Sequence, residues 1–416
     1  MNAATNKPVR APITPDVLVW ARQAGNVPVE DLARSAGVTV DAVRSWESGA
    51  SKPTLNQVRA IAKHLKRPLA TFFLAVPPDD PPLIPDFRTV HNQGGGAYSA
   101  ELTLELRRAR YLQSRFSEEL GSTHPGWRSQ LLHFLADDDP VVCAAQVRER
   151  IGVSLPDQMR FNADDYGLKD WRSALYHAGV LTYGFRLDRD EALGFAITHD
   201  VAPLAGFNLG GAPAQRVFTL IHELGHLCLG VSAVSDSPAA AADGNVFDIR
   251  RVETFCNRFA SAFLLPPGEE QMGRAVDELS SDQVEDIEAI SKVARRLRVS
   301  KYVVLHRMIE RERISRDRAG AIFAGWAAID EEREQARIEK EKQRRERQKA
   351  AGKQTFGLTP VQEALSSRGN DVISDVLTAL ERGRLGEREV ADLLDLSPKH
   401  FDSLARRLTS SARGGE

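Results

Sequence analysis

The sequence predicts a mainly helical α+β protein of several domains, on three observations. Apolar residues recur at helical spacing over long stretches, as in Leu102, Leu106, Ala109 and Leu112. Three short apolar runs lie between turn residues over positions 180–208, the pattern of a small sheet. A break rich in proline, Pro77-Pro78-Asp79-Asp80-Pro81-Pro82, separates an N-terminal helical stretch from the rest. The expected architecture is an N-terminal bundle of five helices, a central domain with a small sheet, and a helical C-terminal tail.

At 416 residues the chain exceeds one ordinary core, and 42% hydrophobic with 27% charged residues is the composition of soluble globular proteins. A net charge of −2 excludes a polycation, so any nucleic-acid contact must come from a local patch. The three cysteines, Cys143, Cys228 and Cys256, form no CxxC pair and read as free thiols of a reducing compartment. Residues 1–20 hold no apolar core segment, so no signal peptide is expected, and no apolar run is long enough to span a bilayer. The expected location is cytoplasmic, without membrane contact.

Taken in order, residues 1–75 read as compact helices with short turns. Val27 to Ala33 forms one helix, Gly37 the turn, and Thr39 caps a second helix from Val40 to Glu47. Leu55, Val58, Ile61, Ala62 and Leu65 mark the apolar face of another. The pair has the form of a helix-turn-helix, whose second helix enters the major groove by its N-terminal residues, here Thr39, Val40, Asp41 and Arg44. Residues 1–74 carry ten Lys/Arg against five Asp/Glu, a modest basic excess suited to phosphate contact. Double-stranded DNA is the expected partner; the alternative use of such a bundle is protein docking or homodimer formation. Residues 76–98 read as a proline/glycine-rich linker, with Gly94-Gly95-Gly96 near its end.

Residues 99–329 read as one domain. A helix is predicted from about Ser99 to Leu120 and another near Pro140 to Ile151. Strands are predicted over Val180–Phe185, Gly194–Ile197 and Leu204–Phe207, followed by helices at about Ala214–Leu229 and Val252–Leu265, the second stopped by Pro266-Pro267-Gly268. The first of these helices carries His222-Glu223-Leu224-Gly225-His226, an H-E-x-x-H motif. Residues four apart share a helix face, so two imidazoles at this spacing can bind one zinc ion. Glu223 lies about 100° around the helix and can serve as general base without being a ligand. Val217, Leu220, Ile221, Leu224 and Leu227 make the helix apolar, so buried histidines there need partners. Gly225 thins the helix and suits close packing beneath a metal.

A catalytic zinc takes a third protein ligand. Glu253 and Asn257, four apart on the next helix, share a face distinct from the stripe of Phe255, Phe259 and Phe263, which reads as core. Glu253 is then either the third ligand or an exposed carboxylate stabilised by the helix N-terminus. Asn257 would hold an imidazole N–H. His199, Tyr302, His306 and Arg307 are candidates for stabilising an oxyanion. Residues 330–357 form a mixed-charge helix or linker, and 358–416 a small helical unit.

Two stretches resemble a known pairing. Residues 27–69, with Leu32-Ala33, Gly37-Val38, Trp46-Glu47, Gly49, Pro53 and Ile61-Ala62, resemble an Xre/Cro-type, lambda-repressor-like helix-turn-helix. Residues about 170–310, with Arg216 through His226, then Glu253, Asn257-Arg258-Phe259-Ala260 and Leu264-Leu265-Pro266, resemble the ImmA/IrrE family of metallo-endopeptidases, a zincin-like minimal peptidase fold. Pro85-Asp86-Phe87-Arg88 resembles a segment that links the two in longer members. The resemblance implies one Zn2+ per chain on His222, His226 and Glu253, with Glu223 catalytic. It implies site-specific cleavage of a repressor or antitoxin-like protein in stress response or mobile-element transfer. The competing reading is a non-proteolytic DNA-binding regulator or antitoxin whose zincin-like domain senses a ligand or binds a partner. One position departs from the pattern: the family module usually carries Gln where this chain has Val29. The tail beyond residue 330 is outside the shared core, and Leu385 to Leu408, with Val390-Ala391 and Leu396-Ser397-Pro398, has a helix-turn-helix look of its own.

Overall fold

The computed structural model describes residues 10–25, 27–78, 98–120, 131–188, 191–235, 246–268, 274, 279, 283, 286–350 and 358–413. The later part of the proline-rich break, the triple glycine, the Pro85–Arg88 segment and the stretch 236–245 therefore lie outside the described residues. The chain divides into two compact units, one extending to Arg110 and the other starting at Tyr111.

The first unit contains α1 (Pro15–Ala24), α2 (Val29–Ala36), α3 (Val40–Glu47), α4 (Leu55–His64), a 3-10 helix at Leu69–Phe73, and the first part of α5 (Ala100–Arg115). The expected bundle of five is thus four α-helices closed by a 3-10 turn. Gly37 ends α2 in the left-handed region at φ 66°, which glycine adopts without steric cost. The Thr39 hydroxyl then accepts the Ala42 N–H at 3.3 Å and starts α3. A capping box of Thr54 and Gln57 opens α4. Leu18, Leu32, Val43, Trp46, Val58, Ile61 and Phe72 fill the core, and Arg22 on α1 bonds Glu47 on α3 at 2.6 Å.

The second unit continues through α6 (Pro140–Ile151), α7 (Leu155–Arg160) and α8 (Leu168–His177) to three strands, β1 (Leu181–Phe185), β2 (Gly194–Ile197) and β3 (Leu204–Asn208). After α9 (Pro213–Cys228), a fourth strand, β4 (Ala233–Ser235), joins the sheet; three residues are too few to show alternation, so the sequence pattern does not reveal it. The order is β1-β3-β2-β4, with β1 parallel to β3 and the remaining pairs antiparallel. The first three strands are buried on both faces, which explains their unbroken apolar character.

Then comes α10 (Val246–Leu264), which starts six residues before the expected position. Its phenylalanines stack along the helix, Phe255 on Phe259 and Phe259 on Phe263, at centroid distances of 6.1 and 6.0 Å. The stripe is core, and Phe259 and Phe263 have no exposed surface. The last turn of α10 is held by side chains from elsewhere: Arg148 donates to the Phe263 carbonyl and Gln158 to the Leu264 carbonyl. A cation on the C-terminal carbonyls of a helix is favourable twice, as a hydrogen bond and against the dipole.

Helices α11 (Ile287–Leu297) and α12 (Lys301–Glu310) follow, then α13 (Arg316–Ala350). The charged run from residue 330 is helical to Ala350. Asp330 anchors the start of that run, accepting from Lys301 at 2.6 Å and from the Tyr302 hydroxyl at 2.8 Å. The final residues form α14 (Pro360–Arg368), α15 (Asn370–Glu381), α16 (Glu387–Leu394) and α17 (Phe401–Arg413). The first of these packs on the β1 edge. Arg172 on α8 donates to the carbonyls of Ser366 at 2.7 Å and Ser367 at 2.9 Å, and Arg368 lies over the Tyr183 ring at 4.4 Å. No helix among the described residues is long and apolar enough to cross a membrane.

Phe259 joins α10 to the rest of the core, so truncating it leaves a cavity that rigid neighbours cannot fill. Phe259→Ala is expected to cost about 3–5 kcal/mol, read as a lower midpoint in denaturant titration of the second unit.

Candidate metal centre

The motif helix α9 runs from Pro213, a first-turn proline that needs no N–H partner, into the middle of the core. From Thr219 to Cys228 every residue is buried. His222 and His226, one turn apart, direct their Nε2 atoms toward each other at 3.2 Å. From α10, Glu253 places Oε2 3.2 Å from His222 Nε2 and Oε1 3.1 Å from His226 Nε2. The three donor atoms lie within 4.8 Å of one another, and all three residues are buried.

Glu253 is 7% exposed and sits in the interior of α10, two turns past its start. That position removes the reading of Glu253 as a solvated carboxylate at a helix N-terminus, which depends on a helix starting near 252. Asn257, one turn on, accepts through Oδ1 from His222 Nδ1 at 3.1 Å. Orienting an imidazole by its far nitrogen is what metal-binding histidines require.

Helices α9 and α10 come this close because Gly225 has no side chain. A Cβ there would meet Cys256 Sγ at 3.2 Å and Phe259 Cδ1 at 3.3 Å. A second glycine shapes the site and is not singled out by the motif. Gly194, the first residue of β2, lies against Glu223; a Cβ there would reach Thr219 Cγ2 at 2.6 Å and the Glu223 carboxylate more closely still. The only sequence signal is a glycine opening an apolar run, which is common at strand ends.

The charges around the site are strongly coupled. Burial pushes the His222 imidazole down, but the Glu253 carboxylate beside it and its hydrogen bonds more than offset this, leaving a net rise. Burial dominates at His226 and leaves it lowered. Burial raises Glu253, yet the two imidazoles outweigh that and hold it well below the usual carboxylate range. The thiols of Cys228 and Cys256 are pushed up by burial and stay outside the donor cluster.

The donor set fits a tetrahedral divalent cation. Ligands at about 2.0–2.1 Å from such an ion are separated by about 3.3 Å, close to the spacings observed between the three donor atoms. Two buried imidazole nitrogens facing a carboxylate form a set of lone pairs that a cation satisfies.

The remaining candidates are engaged elsewhere. His199 Nδ1 accepts the N–H groups of Val201 and Ala202, Tyr302 bonds Asp330, and His306 and Arg307 pair with Glu310. None of these contacts reaches the cluster. In the first unit, Thr39, Asp41 and Arg44 are exposed on α3 and Val40 is half-buried, so all four lie at the open start or outer face of that helix.

Residues 208–308 match the family model of the M78 peptidases, described as the IrrE N-terminal-like domain. The chain therefore pairs a metallopeptidase-type domain with a DNA-binding module, since residues 18–72 match a helix-turn-helix. No curated protein is significantly similar to the chain. The M78 match begins at the end of β3, so β1, β2 and Gly194 lie before it, and the tail from residue 309 lies after it.

Because Gly194 leaves no room for a methyl group, Gly194→Ala is expected to destabilise the second unit by about 1–3 kcal/mol. Thermal unfolding of this variant is compared with that of Gly325→Ala, at an exposed helical position with open space around it. A lower transition for Gly194→Ala alone is the expected result; an unchanged one would show that β2 yields freely at this point.

Proposed function

We propose that the chain is a zinc-dependent, site-specific endopeptidase that regulates transcription by cutting a repressor or antitoxin-like partner, with its helix-turn-helix directing it to double-stranded DNA. The observation that supports this reading is the convergence of His222, His226 and Glu253 beside a fully buried Glu223 that is not one of the three donors. A charged carboxylate is costly to keep in an apolar core, and groups held this way concentrate where chemistry needs them.

His222, His226 and Glu253 would hold the ion, and Asn257 would fix the His222 ring. Zinc in such a site supplies Lewis acidity, which brings the pKa of a water molecule toward about 7 and polarises a carbonyl. Glu223 accepts the proton of the attacking water. It then delivers that proton to the amide nitrogen as the peptide C–N bond breaks, so the products are a carboxylate and a free amine. Gly194 and Thr219 confine the Glu223 carboxylate to the position from which it can do both. The fused DNA-binding module favours a targeted substrate over general degradation.

Three outcomes are expected. Purified protein should carry about one zinc per chain by elemental analysis, and Glu253→Ala or His222→Ala should lose it. Asn257→Ala should weaken zinc about 10–100-fold in a chelator competition, through loss of imidazole orientation. Glu223→Gln should keep zinc but leave the protein encoded beside this gene uncut, where the wild-type chain yields discrete fragments on a gel. Full rescue of a knockout by Glu223→Gln would favour the regulator that works without proteolysis.

A further inference from the structure

The C-terminal helices repeat the local geometry of the N-terminal helix-turn-helix at a constant offset. Helix α2 has eight residues, Val29–Ala36, and α16 has eight, Glu387–Leu394. Each is followed by one residue in the left-handed region, Gly37 at φ 66°, ψ 40° and Asp395 at φ 48°, ψ 44°. Aspartate is among the few residues with a side chain that tolerates this conformation. An apolar residue comes next, Val38 or Leu396, and its N–H returns to the carbonyl five residues earlier, Ala33 or Ala391, at 3.0 Å in both. A hydroxyl residue in extended conformation comes next: Thr39 opens α3 directly, and Ser397 opens a 3-10 turn, Pro398–His400, that leads into α17.

The burial pattern follows the same register. Leu32 and Val390, Val43 and Phe401, and Trp46 and Leu404 are all buried, whereas Asp41 and Lys399, and Arg44 and Asp402, are all exposed. A further helix packs across the pair, as a three-helix unit of this type requires; α15 touches both α16 and α17 and buries Ile373, Val376 and Leu377.

Residues 370–413 carry seven Lys/Arg against eight Asp/Glu, so it is the distribution of charge, not its sum, that separates this unit from a purely structural repeat. From Pro398 to Arg413 the sequence has Lys399, Arg406, Arg407 and Arg413 against Asp402 alone. Lys399 in the 3-10 turn, and Ser403 and Arg406, three apart on α17, are all exposed. The acidic residues lie mainly on α15 and α16, and Glu389 of α16 pairs with Arg115 at 2.8 Å. We propose that residues 370–413 form a second helix-turn-helix that binds double-stranded DNA, with Lys399, Ser403 and Arg406 directed into the major groove. Anchorage of the preceding helix α14 by Arg172 makes it part of the peptidase unit, so that unit reads DNA in its own right.

The test uses the full chain and a fluorescein-labelled duplex of random sequence, about three helical turns long, followed by anisotropy at two salt concentrations. Lys399→Glu/Arg406→Glu is compared with its parent in the wild-type chain and in Arg44→Glu, which weakens the N-terminal module. The expected result is at least about a tenfold loss of affinity in both backgrounds, and a salt dependence shallower by about two counterions. The uncharged pair Lys399→Gln/Arg406→Gln should give a smaller loss in the same direction, and it carries the test if charge reversal lowers the thermal transition. An Arg44→Glu parent that binds no duplex overturns the proposal. So does an affinity indistinguishable from the parent for both double variants with folding intact, which would leave α17 as a protein-docking or packing helix.

Discussion

The centre depends on how closely two helix backbones approach at Gly225. That residue lies between the two histidines of α9, and opposite it stand Cys256 and Phe259 of α10. Glu253 is about one turn before Cys256 on the same helix. Its carboxylate reaches both imidazoles because no side chain separates the helices at the crossing. Close packing makes this position sensitive: an interior near crystal density has no slack to absorb even a methyl group. The stacked phenylalanines of α10 and the capture of its last carbonyls by Arg148 and Gln158 fix the rotation of that helix, and so the aim of Glu253.

A polar cluster at the heart of an apolar core is costly unless its members satisfy one another. Here Glu253 balances His222 and His226, and Asn257 takes the outer nitrogen of His222. Glu223 also acts on His222 through its charge, and it packs against the backbone of β2 at Gly194. The three ligand candidates rest on two helices, and the candidate general base, Glu223, rests between a helix and a strand.

Much of this is legible in the residues. H-E-x-x-H on an apolar helix defines both histidines and their neighbour, because helical spacing leaves one solution for a shared face. The first three strands are legible from their apolar runs, and the turn of the first helix-turn-helix from Gly37 and Thr39. The position of Glu253 is half legible: spacing allies it with Asn257, but a helix start judged from Val252 also allows a solvated carboxylate. The start at Val246 decides between these; Asn245 before it and Asp248 in its first turn are a start signal in the sequence that a reading from Val252 passes over. Gly194 is hidden, since Glu223 is remote from it in sequence and only the antiparallel pairing of β2 with β3, under α9, brings them together. The docking of the tail is equally hidden. Arg172 and Arg368 look like surface arginines until the helix C-terminus and the ring that receive them are in place.

The most direct measurement is zinc K-edge X-ray absorption on the metal-loaded protein. Two imidazole nitrogens at about 2.0–2.1 Å with carboxylate oxygen at a similar distance, and no sulfur, are the expected ligands. A sulfur scatterer at about 2.3 Å would place Cys228 or Cys256 on the ion and contradict the His222, His226 and Glu253 assignment.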